Sequence, residues 1–121
     1  MKKTILFIAL LLLLLTHISY TQEKKVFYPN GQIHQIGNYE NGKLSGQCES
    51  YFENGQLKEI GKIEQGKRNG EWKTYHQNGK LHQNGVFKEG KRIGEWKIYH
   101  QNGQLYQSLQ FENGKQIGEW K

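Results

Sequence analysis

Aspartate is absent from the 121 residues, and cysteine and proline occur once each, as Cys48 and Pro29. All eleven acids are glutamates. No two of them share an apolar stretch that would raise a pKa for acid–base work, which excludes a paired-carboxylate glycosidase. A lone cysteine excludes an internal disulfide framework. Long hydrophobic runs are equally scarce. The one example, Ile5–Leu15, spans eleven residues, short of the ~20 that a transmembrane helix takes. Lys2-Lys3 precede it and small and polar residues follow it to Thr21. That pattern predicts a signal peptide over residues 1–21 and an exported chain, 22–121, that is periplasmic or secreted. Cys48 lies too far from the expected cut to be a lipid-attachment cysteine.

Large aliphatic residues are few as well. Residues 22–121 contain 18 Leu, Ile, Val and Phe, below the roughly 20% at which disorder becomes an option. Thirteen aromatic residues and a net charge of +4 over the same span argue for a folded chain. Lysine and glutamate alternate at Glu71/Lys73, Glu95/Lys97 and Glu119/Lys121. Such mixing describes a solvated sheet face, so no nucleic-acid partner is expected.

What the sequence does have is a repeat of 24 residues without insertions. Asn30-Gly31, Asn54-Gly55, Asn78-Gly79 and Asn102-Gly103 recur at that step, as do Trp72, Trp96 and Trp120, with Cys48 in the first equivalent slot. Units fall near 27–50, 51–74, 75–98 and 99–121. Each reads as two short strands. Asn-Gly predicts a two-residue type I′ loop, in which Gln77 faces Lys80, His76 faces Leu81 and Trp72 falls opposite Gly85. A glycine opposite an indole lets the ring lie over the backbone. Glu89-Gly90-Lys91-Arg92 is expected to form a four-residue loop, pairing Phe87 with Gly94 and Gly85 with Trp96. Equivalent strands then stack without drift.

The fold predicted is all-β: an elongated, twisted, single-layer antiparallel meander of about nine strands. Trp72, Thr74, His76, Leu81 and Phe87 should share one face, and Lys73, Tyr75, His82 and Val86 the other. Trp72, Trp96 and Trp120 then form a ladder with rungs roughly 9.6 Å apart, two strand spacings. Leu109 takes the glycine's place between the last two rungs.

The string Gly66-Lys67-Arg68-Asn69-Gly70-Glu71-Trp72 through Leu81, repeated from Gly90-Lys91 through Leu105, resembles the bacterial variant of the MORN repeat. That variant occurs in proteins named as YwqK-family antitoxins. The resemblance runs from Phe27 to Lys121. It implies a sheet of hairpins used for protein contacts or scaffolding, with an antitoxin or immunity-like role among the options, and a link to membrane lipids.

The residues themselves offer no catalytic centre. His34, His76, His82 and His100 lie too far apart or on opposite faces in the expected register, so no metal site is expected. Ser45, Ser50 and Ser108 have no nucleophile motif, and no glycine-rich loop opens a helix. No cofactor is implied. The candidate binding surface is the aromatic ladder of Trp72, Trp96 and Trp120 with Phe87 and Phe111. Two tasks follow. One is a non-enzymatic module for a protein partner or for self-association. The other is a surface module that stacks glycan or cell-wall components on its rings, a loose likeness to choline-binding repeats.

Overall fold

The computed structural model describes the backbone of residues 21–120 and the side chains of residues 21–118. The expected signal peptide, Thr21 apart, lies outside the described residues, as does the Trp120 side chain. Nine strands follow one another: β1 (Thr21–Phe27), β2 (Ile33–Glu40), β3 (Lys43–Tyr51), β4 (Leu57–Glu64), β5 (Lys67–Tyr75), β6 (Leu81–Lys88), β7 (Lys91–Tyr99), β8 (Leu105–Glu112) and β9 (Lys115–Trp120). Each pairs antiparallel with the next, so spatial order equals chain order in one unclosed sheet. The all-β meander of hairpins is as predicted. It begins earlier than the repeat pattern, because β1 ends at Phe27, with all seven residues exposed and Lys24 in the tryptophan slot.

Two kinds of turn alternate, and their types are exchanged relative to the sequence reading. At Asn78-Gly79 only the glycine has positive φ, at 88°. The Gly79 N–H donates to the His76 carbonyl at 2.9 Å, and the His76 N–H to the Lys80 carbonyl at 2.8 Å. This is a type I turn closed by a glycine bulge, not the type I′ loop expected. Asn78 is held by its own side chain. Its Oδ1 accepts from the Lys80 N–H at 3.0 Å, and its Nδ2 donates to the Gln101 carbonyl of the next repeat at 2.8 Å. Asn30 and Asn54 make the same two contacts. The extra loop residue is absorbed at His82: Tyr75 faces Leu81, whereas Thr74 faces Gln83. The Gln77–Lys80 and His76–Leu81 pairings therefore do not form, and Leu81 joins the Tyr75 face rather than that of Phe87. Trp72 does face Gly85.

The paired positive φ values occur at the other turns, Asn41-Gly42, Gln65-Gly66, Glu89-Gly90 and Asn113-Gly114. Lys88 faces Lys91, so Glu89-Gly90 is the two-residue type I′ loop, and the predicted four-residue loop is incorrect. Phe87 accordingly faces Arg92, not Gly94. The drift such a loop would cause is cancelled within the strand. Val86 faces Ile93 but Asn84 faces Lys97, which leaves Gly94, Glu95 and Trp96 opposite Gly85 alone. Beyond that bulge the predicted register returns.

The tryptophan fills the bulge. A Cβ on Gly85 would stand 2.1 Å from Trp96 Cδ2, so the indole lies on the glycine backbone. Its Nε1–H donates to the Val86 carbonyl at 3.3 Å, beside the interrupted ladder. Trp72 does the same over Gly61, with its Nε1–H on the Lys62 carbonyl at 3.0 Å. In the first repeat Cys48 is too small for this, and Leu44 Cδ1 fills the space, 2.7 Å from a Cβ on Gly37. In the last repeat Leu109 carries a Cβ where an indole would lie. There the bulge shrinks to one residue, Ile117, and the register slips by one: Ser108 faces Trp120, and Leu109 faces Glu119. The expected Leu109–Trp120 pair is thereby replaced.

The buried core is small: Cys48, Ile63, Trp72, Trp96 and Leu109, with Leu44, Phe87, Ile98 and Phe111 packed against it. Gly85→Ala forces the Trp96 ring off the backbone and should destabilise the protein by about 1–3 kcal/mol, the usual cost of overpacking. Val86→Ala, at an exposed neighbour, should change stability by less than about 0.5 kcal/mol. Urea midpoints of the two variants check this difference.

Candidate functional site

The predicted aromatic row exists, but as alternating Trp and Phe. Phe87 lies edge-on between Trp72 (6.2 Å between centroids, 87°) and Trp96 (4.9 Å, 78°), and Phe111 follows at 6.4 Å from Trp96. Trp72 is 4% exposed and Trp96 2%. Their ring faces are covered, so what this row offers to a ligand comes from half-buried Phe87 and Phe111. The side chain of Trp120, the third expected rung, is outside the described residues.

Two arginines that sequence reasoning passed over complete the row. The Arg68 guanidinium lies 4.4 Å from the Trp72 ring and 5.4 Å from Phe87. Arg92 lies 4.7 Å from Trp96 and 5.4 Å from Phe111. Stacking of this kind orients the guanidinium plane and leaves its N–H edge for hydrogen bonds. The signal was present in the repeat: Leu44, Arg68, Arg92 and Gln116 occupy one phase, four residues before Cys48 and the tryptophans. Arg68 is ion-paired with Glu59 at 2.7 Å, and Glu59 is the better buried partner.

The opposite face carries exposed ion pairs, Lys73–Glu71 at 3.6 Å and Lys97–Glu95 at 3.3 Å. They flank two shallow grooves at equivalent positions of successive repeats, of about 420 and 210 Å³. Lys62, ion-paired with Glu64 at 2.8 Å, is the further titratable group that lines them. Nearby, Tyr51 donates to the Glu49 carboxylate, and that bond, with burial and the Glu49 charge, pushes the phenol up to about 12. Glu64, on the surface, is held below the usual carboxylate range by Lys62 and Asn69.

The Asn-Gly turn edge holds ring pairs that the sequence reading did not bring together. Tyr28 stacks on His34 at 4.3 Å, His76 on His82 at 4.3 Å, and His100 meets Tyr106 at 4.8 Å. His76 and His82 were expected on opposite faces. The bulge at His82 breaks strand alternation there and turns the ring towards His76. The His76 Nε2–H donates to the Tyr99 carbonyl at 2.9 Å, which joins the turn to the next repeat. Among the described residues no three His, Cys or Glu side chains gather as a metal site would require.

His82 is exposed but lies against His76, and it is held below the 6.5 of a free imidazole, first by the partial desolvation of that contact and then by the His76 charge. The unfolded chain therefore takes up this proton first as pH falls. The packed pair contributes stability above about pH 6.5, and that contribution is lost as pH drops towards the folded pKa. The urea midpoint should fall between pH 7.5 and 5.5, and His82→Gln should reduce that fall.

A family model described as MORN repeat variant matches residues 23–41, 44–64, 68–89 and 92–113. The first matched segment includes β1 residues that lie before the start of the resemblance at Phe27. No curated protein matches the chain at a significant level.

Proposed function

Because the chain belongs to the MORN repeat variant family, we propose that it is a non-enzymatic module that binds a protein partner, another copy of itself included. Repeats of this family are commonly protein- or membrane-binding modules and typically non-catalytic. The observation that carries the proposal is the single layer. No second layer covers either face among the described residues, and Val26, Phe27, Val86, Leu105, Tyr106 and Ile117 stay exposed. Large apolar side chains left open on a sheet are those a protein partner covers.

The apolar run Ile5–Leu15 extends the proposal to an exported protein working in the cell envelope or outside it. An antitoxin or immunity-like role is one form of the same task, since occupying a partner's surface needs no chemistry of its own. Glycan stacking is the weaker reading, because the indoles of Trp72 and Trp96 have no open face.

A photoreactive phenylalanine analogue at Phe111, and separately at Val86 on the other face, tests the proposal in cells that produce the full chain. The expected outcome is one discrete protein adduct, from Phe111 where the partner covers the Trp–Phe face and from Val86 where it covers the other. The adduct's mass separates self-association from a second protein, and its location in the exported fraction tests export. No adduct at either position, with a monomer by light scattering, would contradict a protein-binding role.

A further inference from the structure

The repeats contain an internal comparison. Arg68 and Arg92 are equivalent, and each is stacked on a tryptophan with a phenylalanine at its side. The residue that neutralises Arg68 is Glu59, at 2.7 Å. The position equivalent to Glu59 beside Arg92 is Gln83. Among the described residues no carboxylate lies within ion-pair distance of Arg92, and Arg92 is the more buried of the two arginines. In the first repeat the arginine position is Leu44, and in the last it is Gln116. Among the described residues, then, the third repeat has a stacked guanidinium with no acid within ion-pair distance.

We propose that Arg92 is the receptor for a carboxylate of the protein partner, and that Glu59 on Arg68 shows the pose this carboxylate takes. The inference rests on the protein-binding reading above and specifies the chemistry of its contact. A guanidinium whose plane is fixed between rings presents its N–H fork at little cost in side-chain entropy, and a carboxylate accepts that fork with two parallel bonds. Half-burial strengthens the pair relative to one in open water. Phe111 and Phe87 flank the site, so an acidic residue next to an apolar one fits it best.

The test is NMR of the arginine side-chain N–H signals in the intact chain, titrated with the dipeptide acetyl-Glu-Phe-amide and with acetyl-Gln-Phe-amide. The Glu peptide should shift the Arg92 signal saturably and leave Arg68 in place, while the Gln peptide shifts neither. Gln83→Glu supplies an internal acid and should abolish the response. Glu59→Gln frees Arg68 and should add a second responding site. Arg92→Lys keeps the charge, loses the fork, and should weaken binding at least tenfold. Equal movement of both arginines would overturn the inference. So would no response at Arg92 in a chain whose spectrum is that of the folded protein. A response to inorganic phosphate or phosphatidylglycerol vesicles but not to the Glu peptide would overturn it in favour of an anionic lipid or phosphate. None of these failures bears on the Phe111 adduct, which tests protein binding by itself.

Discussion

An indole laid on a glycine backbone is the contact on which this sheet depends. A two-residue loop at one turn and a three-residue loop at the next would let successive hairpins slide past one another. The three-against-one bulge beside Trp72 and Trp96 cancels that slip, but it interrupts the ladder at the same place. The tryptophan repairs the interruption in two ways: its ring fills the space above Gly61 or Gly85, and its N–H satisfies a carbonyl beside the bulge. Packing and hydrogen bonding thus meet in one side chain. The last repeat shows the dependence by contrast, since with Leu109 in place of glycine the bulge shortens and the register shifts.

Around that contact the structure is held by short links between neighbouring repeats. On one edge the asparagine side chains reach the next turn's carbonyl. On the other, the turn glycines donate backwards, Gly90 to the Arg68 carbonyl at 2.8 Å and Gly114 to that of Arg92 at 2.9 Å. Such an array is stabilised unit by unit and through nearest neighbours. This explains how so few aliphatic residues suffice for a sheet with no second layer among the described residues. It also leaves the faces free to differ between repeats, as Glu59 and Gln83 do, without disturbing the backbone.

The period of the repeat, the strand count, the antiparallel meander and the opposition of Trp72 to Gly85 were all legible in the sequence, because each depends on spacing alone. The turn types were not. Asn-Gly is the usual type I′ pair, yet Asn78 is worth more as a side-chain bridge to the next repeat, and the left-handed pair falls to Glu89-Gly90 instead. Neither bulge leaves a mark in the hydrophobic pattern. The stacking of His76 on His82 and the slip at Ser108 therefore could not be read. Arg68 and Arg92 were legible in principle: aligning the four units shows the arginines in phase, with one Glu and one Gln beside them. The sequence reading gave them no role.

The proposed binding role suits this economy, since the tryptophans that hold the sheet together are buried while Phe87 and Phe111 beside them are only half-buried. The tryptophans serve the backbone, and the arginines stack above them. Hydrogen exchange at the indole N–H groups, read by NMR, tests the central contact most directly. If Trp72 and Trp96 close the bulges, both indole protons should exchange as slowly as the strand amides beside them. Indole protons that exchange at the rate of a solvent-exposed tryptophan, in a sheet whose amides remain protected, would contradict the account.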